Sequence, residues 1–181
     1  MRQLGRFVRV VNFNGPRLLG KTLQSGLTPH FLLHNHTEMK ATDPPVIVQQ
    51  TFAASSETVW SAITNHPEML KWYFEELPAF KPEVGFETSF VIELDDRKFT
   101  HLWKVTEVNA GKSIKYAWEY EEHPGSAEVA FVVEELEDKT TLSVTVDVTE
   151  DFSEDIPEFK RDSCIAGWEY FLGQQLAGYL S

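Results

Sequence analysis

From Pro44 onward the hydrophobic and polar positions of this chain alternate first with one period and then with another. VIVQQTF, residues 46 to 52, is rich in β-branched side chains and is bounded by Pro44-Pro45 and by Ser55-Ser56, which marks a strand. In SSETVWSAI a serine cap and an acid in the first turn precede Val59, Trp60 and Ile63 at helical spacing, so a helix is expected next. NHPEML repeats the signal. Asn65 caps, Pro67 sits in the first turn, Glu68 completes a capping box, and a second short helix should end near Trp72.

Between residues 86 and 149 the period drops to two. Segments 86 to 94, 98 to 108, 112 to 120, 126 to 135 and 140 to 149 read as strands. Asp95-Asp96, Asn109-Ala110-Gly111, His123-Pro124-Gly125 and Glu137-Asp138-Lys139 stand at the junctions, where hairpin turns make an antiparallel meander. Alternation then divides the faces. Phe86, Phe90, Ile92 and Leu94 share one side with His101, Trp103 and Val105, with Ile114, Tyr116 and Trp118, with Val129, Phe131 and Val133, and with Leu142, Val144, Val146 and Val148. Glu119, Glu128, Glu134 and Asp147 fall on the other, wet side.

The covered side needs a partner, and the last apolar stripe supplies it. Asp155-Ile156-Pro157-Glu158 reads as a capping box, and a helix is expected from about residue 156 to 180, roughly 36 Å long at about 1.5 Å per residue. On a wheel of about 100° per residue, Cys164, Ile165, Trp168, Phe171, Leu172, Leu176 and Tyr179 fall in one arc. Gly167 and Gly178 border that arc, and Gly173 lies outside it. Glycine weakens a helix by about 1 kcal/mol against alanine, so the border pair calls for either close helix-to-strand packing or room left beside Trp168 and Phe171 for a pocket.

Composition sets the scale. The 181 residues, 42% hydrophobic and 13% aromatic, suffice for one packed core. No apolar run is long enough to cross a membrane, no secretory signal opens the chain, and the single cysteine, Cys164, reads as a small buried hydrophobe in a reducing compartment. A cytoplasmic location follows as the expectation. Charge is uneven: residues 1 to 38 hold five Lys/Arg and one acid, and residues 39 to 181 hold eleven Lys/Arg and 27 acids. Nucleic acid and anionic membranes are therefore disfavoured partners, whereas a protein partner on the acidic surface stays open. The basic leader, residues 1 to 45 in the domain division, has three readings: an extension upstream of a true start at Met39, an organelle presequence, or an arm in which residues 6 to 13 add a strand. His34 and His36 lack a third ligand nearby and read as loop histidines.

Three ordered blocks carry a family resemblance. FAASSETVWSAITNHPEMLKWY, VTEVNAGKSIKYAW and AGWEYFLGQQLAGYL resemble the opening, the central strand pair and the closing Gly-Trp helix of the activator of heat-shock protein 90 ATPase homologue 1-like family, within the START-like superfamily. The resemblance covers residues 46 to 181. It implies an α+β helix-grip fold, an antiparallel sheet wrapped around a long C-terminal helix with two short helices after the first strand. It also implies a cavity between helix and sheet, used by different relatives to bind lipids or hormones or to shape polyketide cyclisation. Two departures stand out: only Gly85 remains of a Gly-Gly common before the first meander strand, and the leader is too short to be the chaperone-binding domain of the eukaryotic co-chaperone.

The function expected is a binder of a small hydrophobic ligand, with a cyclase- or hydrolase-like enzyme and a chaperone-interacting module as alternatives. Candidate ligand-binding residues are Trp72, Phe90, His101, Trp103, Trp118, Phe131, Gly167, Trp168 and Phe171, with Tyr120 also turned inward. His101, between Phe99 and Trp103, is the polar exception among them, and either a satisfied core histidine or a ligand-orienting base. The chain carries no nucleophile elbow, phosphate loop, HExxH or CxxC, so no cofactor or metal is expected, and the Glu121-Glu122 and Glu134-Glu135 pairs read as solvated charge. A monomer and a homodimer are both compatible with these features.

Overall fold

The computed structural model describes residues 38–94 and 97–181. His34, His36, the strand expected at residues 6 to 13 and the Asp95-Asp96 turn lie outside the described residues. Chain order is β1 (Val46–Phe52), α1 (Ser56–Thr64), α2 (His66–Trp72), β2 (Glu87–Leu94), β3 (Arg97–Asn109), β4 (Ser113–Tyr120), β5 (Ser126–Leu136) and β6 (Lys139–Glu150). A 3₁₀ turn (Pro157–Phe159), α3 (Arg161–Tyr170), a π-helical stretch (Phe171–Leu176) and a last helical turn α4 (Ala177–Tyr179) complete it.

The first helices form for the reasons legible in their caps. Ser55 Oγ accepts from the Thr58 N–H at 3.2 Å at the start of α1, and Asn65 Oδ1 accepts from the Glu68 N–H at 3.4 Å at the start of α2. Six antiparallel strands follow the order β1-β6-β5-β4-β3-β2, so the meander is closed on one side by the first strand pairing with the last. Strand alternation holds. Phe90, Ile92, Trp103, Val105, Ile114, Tyr116, Val129, Phe131, Leu142 and Val144 are all buried on the covered face. This is the helix-grip arrangement: the long helical segment lies on the concave apolar face, Trp168 meeting Phe131 at 5.5 Å and Trp118 at 6.1 Å between ring centroids.

The last helix departs from expectation in two places. Its capping box does not form: Ile156 and Lys160 are extended, Glu158 sits in a 3₁₀ turn, and regular α-helix begins only at Arg161. The cause is competition for the Glu158 carboxylate, which accepts both Arg97 guanidinium N–H groups at 2.5 and 2.6 Å instead of turning back to the Asp155 N–H, while Phe159 is buried against Phe99, Tyr120 and Phe152. Farther on, residues 171–176 wind as a π-helix, which takes one more residue per hydrogen-bonded ring than an α-helix. Side chains beyond it fall one position behind the regular wheel. Tyr179, placed on the buried arc, is 38% exposed, and Leu180 packs on the core instead. Gly178 has open space where a Cβ would stand, so it borders neither a strand nor a pocket.

Glu38 to Pro45 are tied to the same body. Met39 is buried, its carbonyl accepts the Phe152 N–H at 3.0 Å, the Ala41 N–H donates to Asp151 at 2.8 Å, and Lys40 pairs with Glu154 at 2.8 Å. No helix among the described residues is long and apolar enough to cross a membrane.

Candidate functional site

Register decides which aromatic rings meet on the covered face. Phe90 lies opposite His101 across β2 and β3, while His101 faces Tyr120 and Trp103 faces Trp118 across β3 and β4. The resulting band of rings is roofed by Trp168 and Phe171 and by Phe74. That last ring points inward because α2 stops at Trp72: Tyr73 leaves the helical region at φ −104°, ψ −135°, so Trp72, Tyr73 and Phe74 are all buried in succession. A continuing helix could not bury three consecutive side chains on one face.

Roof and band do not close completely. A cavity of about 130 Å³ remains, walled by Phe74, Trp168, Phe171 and Gly167 on one side and by His101, Trp118 and Tyr120 on the sheet, reaching Phe99, Phe152 and Phe159. Its rim carries half-buried Glu158 and Ser163, and Arg97, clamped to Glu158, lies 5.9 Å from the Phe99 ring centre.

Of the nine residues singled out from sequence, His101, Trp118, Gly167, Trp168 and Phe171 line this cavity. Four do not reach its wall. Trp72 is packed away from it with its indole N–H donating to the Ala62 carbonyl at 2.8 Å, Phe90 stacks at 4.7 Å behind the His101 ring, and Trp103 and Phe131 are buried in the ring cluster of the sheet. Alternation marked them as inward-facing, which they are, but says nothing of which inward positions the roof covers. Phe74, Phe152, Phe159 and Met39 were missed as wall residues. Their signal was weak: an aromatic run WYF at a helix end, and single apolar residues among the charges of TEDFSEDIPEFKRD.

Polar groups on this apolar wall are few and unusual. His101 is 5% exposed, and its Nδ1 has no hydrogen-bond partner. Burial, opposed only by the attraction of Glu122, pulls its pKa down to about 3, so the ring is neutral at ordinary pH. The Trp118 indole N–H is likewise buried and lies toward the Tyr120 hydroxyl, whose pKa it lowers against the larger upward push of burial. His101 lies 5.2 Å from Trp118 and 4.8 Å from Tyr120 between ring centroids. Burial also pushes the Cys164 thiol, another wall residue, up to about 12, despite the opposing charge of Arg161. Among the described residues no cluster of three His, Cys, Asp or Glu side chains could hold a metal ion.

Glu122 is not the plain solvated charge expected. It accepts from the Thr100 N–H at 2.7 Å and from the Thr100 hydroxyl, and pairs with Lys98 at 3.1 Å. Burial alone would raise its pKa, but these donors outweigh it and hold the carboxyl at about 2.

Solved structures with this architecture are similar to the chain at low identity. DynU16, a protein from the dynemicin biosynthetic locus, is 23% identical with a TM-score of 0.61, over 76% of this chain and 47% of that one. This chain thus spans about half the length of DynU16. CV1439 from Chromobacterium violaceum is 20% identical with a TM-score of 0.62, over 75% of this chain and 96% of that one. The Aha1 dimer from Colwellia psychrerythraea is 19% identical with a TM-score of 0.56, over 76% and 96% of the two chains. These likenesses establish the fold. Comparison with curated proteins found no match. The family model described as Activator of Hsp90 ATPase homolog 1-like protein matches residues 53–181, and the chain belongs to that family.

Proposed function

We propose that this domain binds a small apolar molecule in the cavity between its last helix and its sheet. The observation that carries the reading is the cavity itself, about 130 Å³ and walled almost entirely by rings and aliphatic side chains. Native interiors are packed to crystal density, and this half-open, apolar-walled gap leaves wall atoms without the contacts that an apolar occupant would supply. An engineered apolar cavity of about 150 Å³ takes up benzene, which sets the scale of the occupant.

Binding is favoured over catalysis by the state of the wall's reactive groups. A histidine held near pKa 3 is a weak general base at neutral pH, and a thiol near 12 is not a thiolate. A cyclase- or hydrolase-like activity would find neither a strong base in His101 nor a thiolate in Cys164. A chaperone-directed role, suggested by the family's description, would use the acidic outer face and ranks second. The cytoplasm is the compartment we assign, on the single cysteine.

An NMR titration with toluene tests the reading. Saturable shifts of the Trp118 and Trp168 indole resonances are expected. Shifts confined to surface amides, or none, would overturn it.

A further inference from the structure

Residues 153 to 160 form a strap along the rim of the cavity, anchored at both ends. On one side the Phe152 N–H donates to the Met39 carbonyl at 3.0 Å, and on the other Arg161 donates to the Pro44 and Pro45 carbonyls at 2.7 and 3.0 Å. Between the anchors, the backbone N–H groups that bond among the described residues do so within the strap, Phe159 to Ile156 at 3.0 Å and Lys160 to Pro157 at 3.2 Å. Lys40 pairs with Glu154, and the Ser163 hydroxyl donates to the Pro157 carbonyl, but neither tie reaches the sheet. Among the described residues, one ion pair joins the strap to a strand: Glu158 accepts both Arg97 N–H groups, at 2.5 and 2.6 Å, from the start of β3. Glu158 stands on the cavity wall, and Arg97 lies 5.9 Å from the ring centre of Phe99, a wall residue on the facing lip. Phe159 meets that same Phe99 edge-on at 5.8 Å. The pair therefore ties the two lips of the cavity together.

Glu158 has a competing partner inside the strap. Asp155-Ile156-Pro157-Glu158 has the spacing of a capping box, in which the Asp155 side chain accepts the Glu158 N–H, the Glu158 carboxylate accepts the Asp155 N–H, and Pro157 fits the first turn. Held by Arg97, Glu158 does not close that box: Ile156 and Lys160 stay extended, and α-helix begins at Arg161. Released, the same residues carry the signals to lengthen α3 by a turn. A half-buried ion pair and a helix cap are interactions of similar worth, so neither arrangement dominates by a wide margin. Winding the strap into helix also re-aims the Phe159 side chain, which in the latched form fills the seam against Phe99.

We propose that the strap is a two-state gate on the cavity: latched by Arg97 and Glu158 it is shut, and with Glu158 turned back into the capping box it opens to let an apolar molecule pass. What passes rests on the ligand-binding reading above, whereas the motion itself does not.

Cys164 makes the motion measurable without a ligand. It is the single cysteine of the chain and lies on the cavity wall, where burial keeps its thiol unreactive in the shut form, so its reaction with N-ethylmaleimide counts openings. Arg97→Gln in the full chain is expected to speed labelling about fivefold and to move the Cα chemical shifts of residues 156–160 toward helical values. Asp155→Ala spares the latch and removes the cap of the open form, so labelling is expected to slow about threefold. High salt should speed labelling of the wild type and not of Arg97→Gln. Val59→Ala weakens the core at a residue off the cavity wall and is expected to leave the rate within about twofold. Unchanged rates in both strap variants, changes of the same sign in both, or equal acceleration by Val59→Ala would overturn the gate, the last by making labelling a measure of global unfolding. Toluene exchange followed by NMR supplies the second arm: release from Arg97→Gln is expected to quicken by the labelling factor while affinity stays within about threefold. Failure of toluene to bind would overturn the ligand-binding reading, and the labelling rates would still decide the gate.

Discussion

Gly125 and Gly178 are both glycines at the edge of regular structure, and the residues around them give opposite consequences to the same methyl group. At Gly125 the backbone is left-handed, φ +113°, and a Cβ would stand 2.5 Å from the Phe152 ring and 2.8 Å from its Cα. Neither the conformation nor the space admits a side chain. Gly125→Ala is therefore expected to cost about 1 to 3 kcal/mol or more in urea melts, and Gly178→Ala, with open space in a helical turn, to hold stability or raise it by up to about 1 kcal/mol. Trp168 is the opposite kind of residue, 5% exposed and in ring contact with Tyr73, Trp118, Phe131 and Phe171. Trp168→Ala is expected to destabilise by about 3 to 5 kcal/mol, because the loss joins an existing cavity and its walls cannot collapse inward. A cost below about 1 kcal/mol would make Trp168 a rim residue and not part of the roof.

At the level of elements, the site depends on how β3 is tethered and how the last helix is phased. Glu122, in the β4–β5 connection, grips β3 through Thr100 and Lys98, one residue from His101. The two groups shift stability with pH in separable windows. Glu122 is depressed to about 2, so its contribution is complete above the unfolded carboxylate value of about 4.3 and is lost as pH falls from there through 2. His101 is depressed to about 3, so the unfolded chain takes up a proton below about 6.5 that the folded chain refuses, and stability falls from pH 6.5 toward 3. Urea midpoints are expected to fall between pH 6.5 and 5 in the wild type and less steeply in His101→Phe, whereas Glu122→Gln should flatten only the limb below about 4.5. Equal slopes for all three proteins between pH 6.5 and 5 would show that His101 is not buried neutral. The π-helical stretch has the other effect: by delaying the wheel one position it turns Leu180 inward and Tyr179 out while keeping Phe171, Leu172 and Leu176 buried.

On the scale of the whole molecule, the folded unit reaches back beyond β1. We expect removal of residues 1–37 to leave the melting temperature within a few degrees, and removal of residues 1–45 to lower stability by about 2 to 5 kcal/mol, since it deletes buried Met39 and its ties to Phe152 and Asp151. A large loss in the shorter truncation would make the leader part of the fold. How much of this was legible follows from the range of each interaction. Local signals act over one turn or one pleat, so the caps at Ser55 and Asn65, the end of α2 at Trp72, the five meander strands and the inward faces of Phe90, His101, Trp103, Trp118 and Phe131 could be read from the chain. The family and its fold were legible too, because they rest on the order of those local blocks. What tertiary structure alone decided is where long-range partners compete with local ones. Arg97 takes Glu158 from its capping box across 61 residues of chain, the π-helical turn resets the phase that a 100° wheel assigns to Gly178 and Tyr179, and the roof covers Trp103 and Phe131 while leaving His101 and Trp118 on an open wall. Periodicity fixes the face on which a side chain lies, a one-dimensional property, but the gap between two faces depends on the shapes of both, and these meet only in the folded chain.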